Sequence, residues 1–135
     1  MTKSPNRVIG IIFGVIFIVL GLVGFTSTTG VEFFATNGGL LLGIFEVNLA
    51  HNLLHLLIGT ALFIAALAGP KLSALANAGL GAVFLMLGLA GLFLVDSPLN
   101  FLALNVADNV LHFGSAAVLL AVGLGALRPV PKPAA

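Results

Sequence analysis

Four long apolar runs, separated by short polar breaks, dominate the pattern of the chain. They cover approximately residues 8–25, 47–68, 72–95 and 102–127. Each is long enough for the roughly 20 residues that a helix needs to cross a bilayer. Only helices satisfy every backbone hydrogen bond of a single span in lipid, and the alternating segments of a β-barrel are missing. The pattern therefore predicts an all-α, transmembrane four-helix bundle.

The breaks between the runs contain the residues that end helices. A polar, glycine-containing stretch follows the first run at 26–39, and Gly69, Pro70 and Lys71 form a predicted turn after the second. Asp96, Ser97 and Pro98 close the third run, and prolines 129, 131 and 133 follow the fourth. Proline and glycine interrupt helices at such points. We expect one domain over residues 1–135.

Composition supports a membrane protein and excludes several functions. The chain is 60% hydrophobic and only 7% charged, whereas an ordinary soluble domain is about 25% charged. Its net charge of +1 cannot neutralise a run of phosphates, so a nucleic-acid partner is not expected. The absence of cysteine excludes disulfides, thiolate metal sites and cysteine nucleophiles.

The charged residues predict the orientation in the membrane. The basic residues are Lys3, Arg7, Lys71, Arg128 and Lys132. With four spans, all of them fall on one side, and Glu32, Glu46 and Asp96 fall on the other. The positive-inside rule then places both termini in the cytoplasm. The first run also resembles a cleaved signal peptide, but the repeat described next makes it a partner of the third run.

The sequence contains an internal repeat, because the segment at about 72–127 repeats features of the segment at about 8–68. In the first and third runs the matching residues are Gly14, Phe17, Leu20, Gly21, Leu22 and Gly24, and Gly81, Phe84, Leu87, Gly88, Leu89 and Gly91. In the second and fourth they are Asn48, Ala50, Asn52, Leu54 and His55, and Asn105, Ala107, Asn109, Leu111 and His112. Both copies start on the same side, so we predict two parallel-repeat hairpins related by an axis along the membrane normal.

Small residues recur on one stripe of several runs. These are Gly10, Gly14 and Gly21, then Ala61 and Ala65, then Ala117, Ala121 and Gly125. Small residues at such spacing let helix backbones approach closely. We expect them to pack helices against one another rather than to hold a ligand.

A polar cluster lies in the second and fourth runs. Its members are Asn48, His51, Asn52 and His55, with Asn105, Asp108, Asn109 and His112. Each set occupies one arc of a helix about 100° wide. Polar side chains are costly in lipid, so both sets are predicted to face the interior, in the outer half of the membrane.

Three interpretations of this cluster remain open. The first is polar glue, hydrogen bonds that hold the hairpins in register. The second is a ligand site, where His51, His55, Asp108 and His112 bind a transition metal or two histidines bind haem iron. The third is a proton or ion relay. The repeat places His51 opposite Asp108 and predicts that these two side chains form a pair.

Two segments resemble the signatures of a known family. They are 42–59, with Asn48, His51, Asn52 and His55, and 104–112, with the other four members of the cluster. Together they resemble the bacterial family catalogued as a domain of unknown function, DUF4383. The resemblance covers nearly the whole chain. It implies a bacterial inner-membrane protein with four spans and no assigned activity.

The sequence therefore predicts a non-enzymatic structural or accessory subunit. Its expected partners are membrane lipid and other membrane proteins or a second copy of itself. We expect no cofactor. The alternative is a binding protein or relay that holds a metal, haem or proton in the His/Asp/Asn cluster.

Overall fold

The computed structural model describes residues 4–127 and contains four long helices. They are α1 (Pro5–Ser27), α2 (Leu49–Ala68), α3 (Pro70–Leu94) and α4 (Val106–Leu127). All four are long and apolar enough to span a membrane, which confirms the predicted all-α fold. Lys3, Arg128, Lys132 and the three C-terminal prolines of the sequence analysis lie outside the described residues.

The chain folds as two tightly packed hairpins, α1 on α2 and α3 on α4. Glycines allow this packing at matched positions of the two copies. A Cβ atom on Gly14 would lie 2.9 Å from the backbone nitrogen of Phe63. In the second hairpin, a Cβ on Gly81 would lie 2.9 Å from the backbone nitrogen of Leu120. The helix backbones thus approach each other as the small residues predict.

Aromatic residues of the two copies meet at the centre of the bundle. The rings of Phe17 and Phe84 stack with their centroids 4.5 Å apart and are both fully buried. Ile58, Leu62 and Leu119 surround them. These repeat-equivalent phenylalanines join the two hairpins through a dry, apolar core.

A single residue, Gly69, connects α2 to α3. Its φ of +144° is one that residues with a Cβ rarely adopt. Pro70 then starts α3 at a position where its missing N–H is not needed. The turn therefore consists of Gly69 alone, whereas the sequence predicted a turn over residues 69–71.

A small β-hairpin lies between α1 and α2, where no strand was predicted. Strands β1 (Gly39–Leu41) and β2 (Phe45–Val47) are antiparallel, with Leu41 opposite Phe45. The turn places Leu42 and Gly43 at φ of 55° and 71°. Each strand is only three residues long and adjoins the apolar run of α2. Strands this short show no alternation of apolar and polar residues from which they could be predicted.

The fourth helix begins at Val106, four residues later than the run that starts at 102. The preceding segment is a loop in which Ala103 has a φ of 51°. Asn100 holds this loop, since its Nδ2 donates to the Leu104 carbonyl at 2.9 Å and its Oδ1 accepts from the Leu104 N–H at 2.8 Å. Apolar composition alone does not distinguish such a buried loop from a helix.

Not every small residue packs inside the chain. Ala117, Ala121 and Gly125 lie on the exposed side of α4, and Ala61 is exposed on α2. These four positions therefore do not pack helices against each other within the described chain. The small residues that do pack internally lie on the opposite faces of their helices.

We expect the end of the bundle that carries Arg7 and Lys71 to face the cytoplasm. Arg7 donates to the Ala66 carbonyl at 2.8 Å, so the start of α1 and the end of α2 share this end. A reporter fused after Ala135 should therefore be cytoplasmic, by the positive-inside rule. A reporter exposed on the outer face would contradict this topology.

Candidate functional site

The predicted polar cluster lies near the N-terminal ends of α2 and α4. Seven of its eight members are buried, and Asn105 is half-buried. His55 and His112 each lie six residues into their helices, which is about 9 Å along the helix axis. The structure thus keeps the cluster inside the bundle, although its members have different surroundings.

Asn48 links the segments 28–48 and 95–105 to the start of α2 through hydrogen bonds. It is the N-cap residue, and its Oδ1 accepts from the backbone N–H of His51 at 2.8 Å. Its Nδ2 donates to the carbonyls of Ala35 and Phe101, at 2.9 and 2.8 Å. These carbonyls belong to loops of different hairpins, so Asn48 acts as the predicted polar glue.

Asn105 and Asp108 form a reciprocal cap at the start of α4. The Asn105 Oδ1 accepts from the Asp108 N–H at 3.0 Å, and the Asp108 Oδ2 accepts from the Asn105 N–H at 2.9 Å. This is a capping box. Asn105 also donates to the carbonyl of Ile44 in the β-hairpin, at 2.8 Å.

Asn52 and Asn109 occupy equivalent positions against glycines of the neighbouring helix. A Cβ atom on Gly24 would overlap the Asn52 Oδ1, and a Cβ on Gly91 would overlap the Asn109 Oδ1. Both oxygens are buried without a conventional hydrogen bond. The Cα–H group of the facing glycine can act as a weak hydrogen-bond donor to each of these oxygens. These two asparagines therefore fix the depth at which the helices of each hairpin pack.

The prediction that His51 pairs with Asp108 is wrong. His51 Nδ1 lies 3.0 Å from the Leu102 carbonyl, and its Nε2 lies 3.2 Å from the Nε2 of His55. Both of its nitrogens are therefore engaged elsewhere. The Asp108 carboxylate turns back to cap its own helix, since it stands at the third helical position, where an acidic side chain reaches the cap N–H.

Three histidines converge instead. His51, His55 and His112 each offer a ring nitrogen, and these nitrogens lie within 4.8 Å of one another. All three side chains are at most 2% exposed. Asp108 is not part of this group, so three of the four metal candidates from the sequence come together.

Hydrogen bonding within the described residues accounts for His51 but not for the other two histidines. Both ring nitrogens of His112 and the Nδ1 of His55 are buried without a partner. Leaving such a group unpaired costs about 1–3 kcal/mol. Asn48, Asn105 and Asp108 act as helix caps or link loops, whereas no such role explains His55 and His112.

The arrangement does not fit haem. The ring of Phe17 packs on His55 with centroids 5.2 Å apart, and the ring of Phe84 packs on His112 at 5.7 Å. These phenylalanines also stack on each other beneath the histidines. A haem would have to displace them, because axial ligation needs open space between the histidines and the iron.

Among the described residues, apolar side chains interrupt the path that a relay through the bundle would need. A second polar group lies near the start of α1, where Asn77 Nδ2 donates to the Asn6 Oδ1 at 2.8 Å and Ser73 is buried nearby. The Phe17 and Phe84 pair and its apolar neighbours lie between the histidines and this group. A proton would need polar side chains or water across that layer.

One local signal in the sequence would have corrected the Asp108 assignment. Asn105 and Asp108 have the spacing of a capping box directly before an apolar run, which predicts a helix start at Val106. The repeat drew attention to the match of position 51 with position 108 instead. The tie from His51 to Leu102 connects distant parts of the chain, so no local pattern could have found it.

Comparison with known proteins assigns the family. The family model "Domain of unknown function (DUF4383)" matches residues 7–125. The chain belongs to this family. No curated protein and no solved structure matched it. The match of the DUF4383 model covers all eight residues of the cluster and confirms the resemblance drawn from the two segments.

Proposed function

We propose that this DUF4383 protein is a non-enzymatic accessory subunit that docks the outward face of α4 onto a transmembrane helix of another membrane protein. The outward face consists of Gly114, Ala117, Ala121 and Gly125, all exposed. A Cβ atom on Gly114 or Gly125 would meet nothing within 4 Å. These residues are therefore small without any packing reason inside the chain.

The difference between the two repeats carries this proposal. The positions of α2 that match Gly114 and Ala121 are Leu57 and Ile64, which are 68% and 58% exposed. A position that faces lipid accepts large and small apolar side chains alike. A close contact between two helices requires small ones. At these two of the four positions, the outward face of α4 has small residues where α2 has large ones.

An apolar groove extends this surface toward α1. It is lined by Phe13, Ile16, Val110, Gly114 and Val118. Large side chains of a partner helix would enter this groove while its backbone lay along the outward face of α4. Between the helices, the described chain has only the segment 28–48 with its β-hairpin, Gly69 and the loop 95–105, which favours a role exercised inside the membrane.

A bulky residue on the outward face should weaken the association. We expect Ala121→Leu to lower the amount of complex recovered from native membranes by about tenfold, equivalent to about 1.4 kcal/mol. The measurement is the amount of tagged chain in the larger species on native gels of gently solubilised membranes.

Thr60→Leu is the matched control, since Thr60 is exposed on α2 and is the repeat equivalent of Ala117. We expect it to leave the complex unchanged. Both variants should melt like the wild-type chain, because neither position is buried. Equal loss of complex in the two variants, or none in either, would contradict a docking role for α4.

A further inference from the structure

We propose that His51, His55 and His112 bind one divalent transition-metal ion, such as Zn²⁺ or Cu²⁺, in the outer half of the bundle. This inference goes beyond the docking role and does not depend on it. It rests on the distances between the ring nitrogens, the hydrogen bond behind His51, and the unpartnered nitrogens of the other two histidines.

The distances suit a metal with imidazole ligands. Zinc bonds to histidine nitrogen at about 2.0–2.1 Å, which places two nitrogens of a tetrahedral site about 3.3 Å apart. The Nε2 atoms of His51 and His55 are 3.2 Å apart. The third nitrogen, from His112, lies within 4.8 Å of the other two, so a rotation of its ring would close the site.

His51 already has the outer-shell contact of a metal ligand. Its Nδ1 lies 3.0 Å from the Leu102 carbonyl, and a carbonyl only accepts hydrogen bonds. Nδ1 therefore carries the proton, which leaves the Nε2 lone pair directed at His55. Metal-bound histidines usually donate their second N–H to such an acceptor, which fixes the ring and its tautomer.

The three ligands come from both hairpins. His51 and His55 are one helical turn apart on α2, and His112 comes from α4. Phe17 packs on the ring of His55 and Phe84 on the ring of His112. The metal would therefore link the two hairpins, binding the facing Nε2 atoms of His51 and His55 together with a His112 nitrogen that no described residue satisfies.

The donor atoms select the class of metal. Three neutral imidazoles suit zinc, copper and other late first-row ions, whereas Mg²⁺ and Ca²⁺ prefer oxygen ligands. Water supplies the fourth ligand of many three-histidine zinc sites.

The test is metal binding by the purified full-length chain in detergent. After treatment with a chelator and dialysis against Zn²⁺, elemental analysis should find about one zinc ion per chain. Co²⁺ should give the strong visible absorption of a tetrahedral nitrogen site, as expected for this ligand geometry. His112→Gln should weaken binding by more than about 100-fold, since removal of an outer-shell partner alone costs 10–100-fold.

Glu32→Gln is the matched control for surface binding, because Glu32 is an exposed carboxylate outside the histidine group. It should leave stoichiometry and affinity unchanged. A wild-type chain that binds no zinc or cobalt under these conditions would overturn the proposal. So would unchanged affinity in folded His112→Gln. If His112→Gln does not fold, the wild-type stoichiometry and Co²⁺ spectrum decide alone.

Discussion

Replacing Asn48 with alanine should lower the free energy of unfolding by about 2–4 kcal/mol. The substitution removes the cap of α2, which is worth about 1 kcal/mol. It also removes the donor of two part-buried hydrogen bonds, to the carbonyls of Ala35 and Phe101, each worth about 0.5–1.5 kcal/mol. Unfolding in mixed micelles titrated with SDS measures the change.

Two further variants separate the cap from the loop ties. Asn48→Asp keeps an oxygen for the His51 N–H but removes both donors, so most of the destabilisation should remain. Asn105→Ala is the matched control in the second repeat. Asn105 is half-buried, so water replaces its bonds and the loss should be about 1 kcal/mol. Equal losses in Asn48→Ala and Asn105→Ala would show that the ties from Asn48 contribute nothing.

Gly24→Ala should lower the free energy of unfolding by about 3 kcal/mol, the upper part of the usual range for overpacking. The new methyl group would occupy the position of the Asn52 Oδ1. Gly91→Ala should have a similar effect in the second hairpin, because its methyl group would overlap the Asn109 Oδ1. SDS titration again provides the measurement.

A second substitution tests the cause of this effect. Asn52→Ala in the Gly24→Ala background removes the clash and should recover about 1–2 kcal/mol, the scale of coupling between residues in contact. Gly79→Ala is the control, since a Cβ on Gly79 would meet nothing within 4 Å. It should be neutral or slightly stabilising, because alanine favours helices over glycine. Additive effects of Gly24→Ala and Asn52→Ala would contradict the proposed contact.

The hydrophobic pattern predicted the four helices and their order because lipid leaves little choice of structure to a long apolar run. It also predicted that the cluster is buried, since polar side chains avoid lipid. The bounds of α4 and the β-hairpin at Gly39–Val47 could not be predicted. In both places short apolar segments fold as buried non-helical structure, and distant partners such as Asn100 and Asn48 stabilise them.

The roles of the individual polar residues depended on geometry that the sequence does not contain. Repeat equivalence suggested that His51 and Asp108 would interact. In the structure each stands at the third position of its own helix, and only Asp108 can accept from the cap N–H. His51 is left to contact Leu102 and His55. The third position is histidine in α2 and aspartate in α4. This one difference makes His51 a candidate metal ligand and Asp108 a helix cap.

The sequence alone could not place the small residues of α4 on an outward face. Ala117, Ala121 and Gly125 have the spacing of internal packing residues, and the sequence does not say which side of α4 faces the bundle. The structure assigns the inward side to Asp108, His112, Ser115 and Leu119. The small residues lie outside this buried stripe, where they are exposed.

A photo-crosslinking residue placed on α4 tests the docking proposal most directly. Incorporated at Ala121, it should give one discrete adduct in native membranes. The mass of this adduct should not be that of two copies of the 13.7 kDa chain. Incorporated at Ile64, the repeat-equivalent exposed position of α2, it should give none. An adduct of two copies of the chain from Ala121, or the same adducts from both positions, would contradict docking of the α4 face onto another membrane protein.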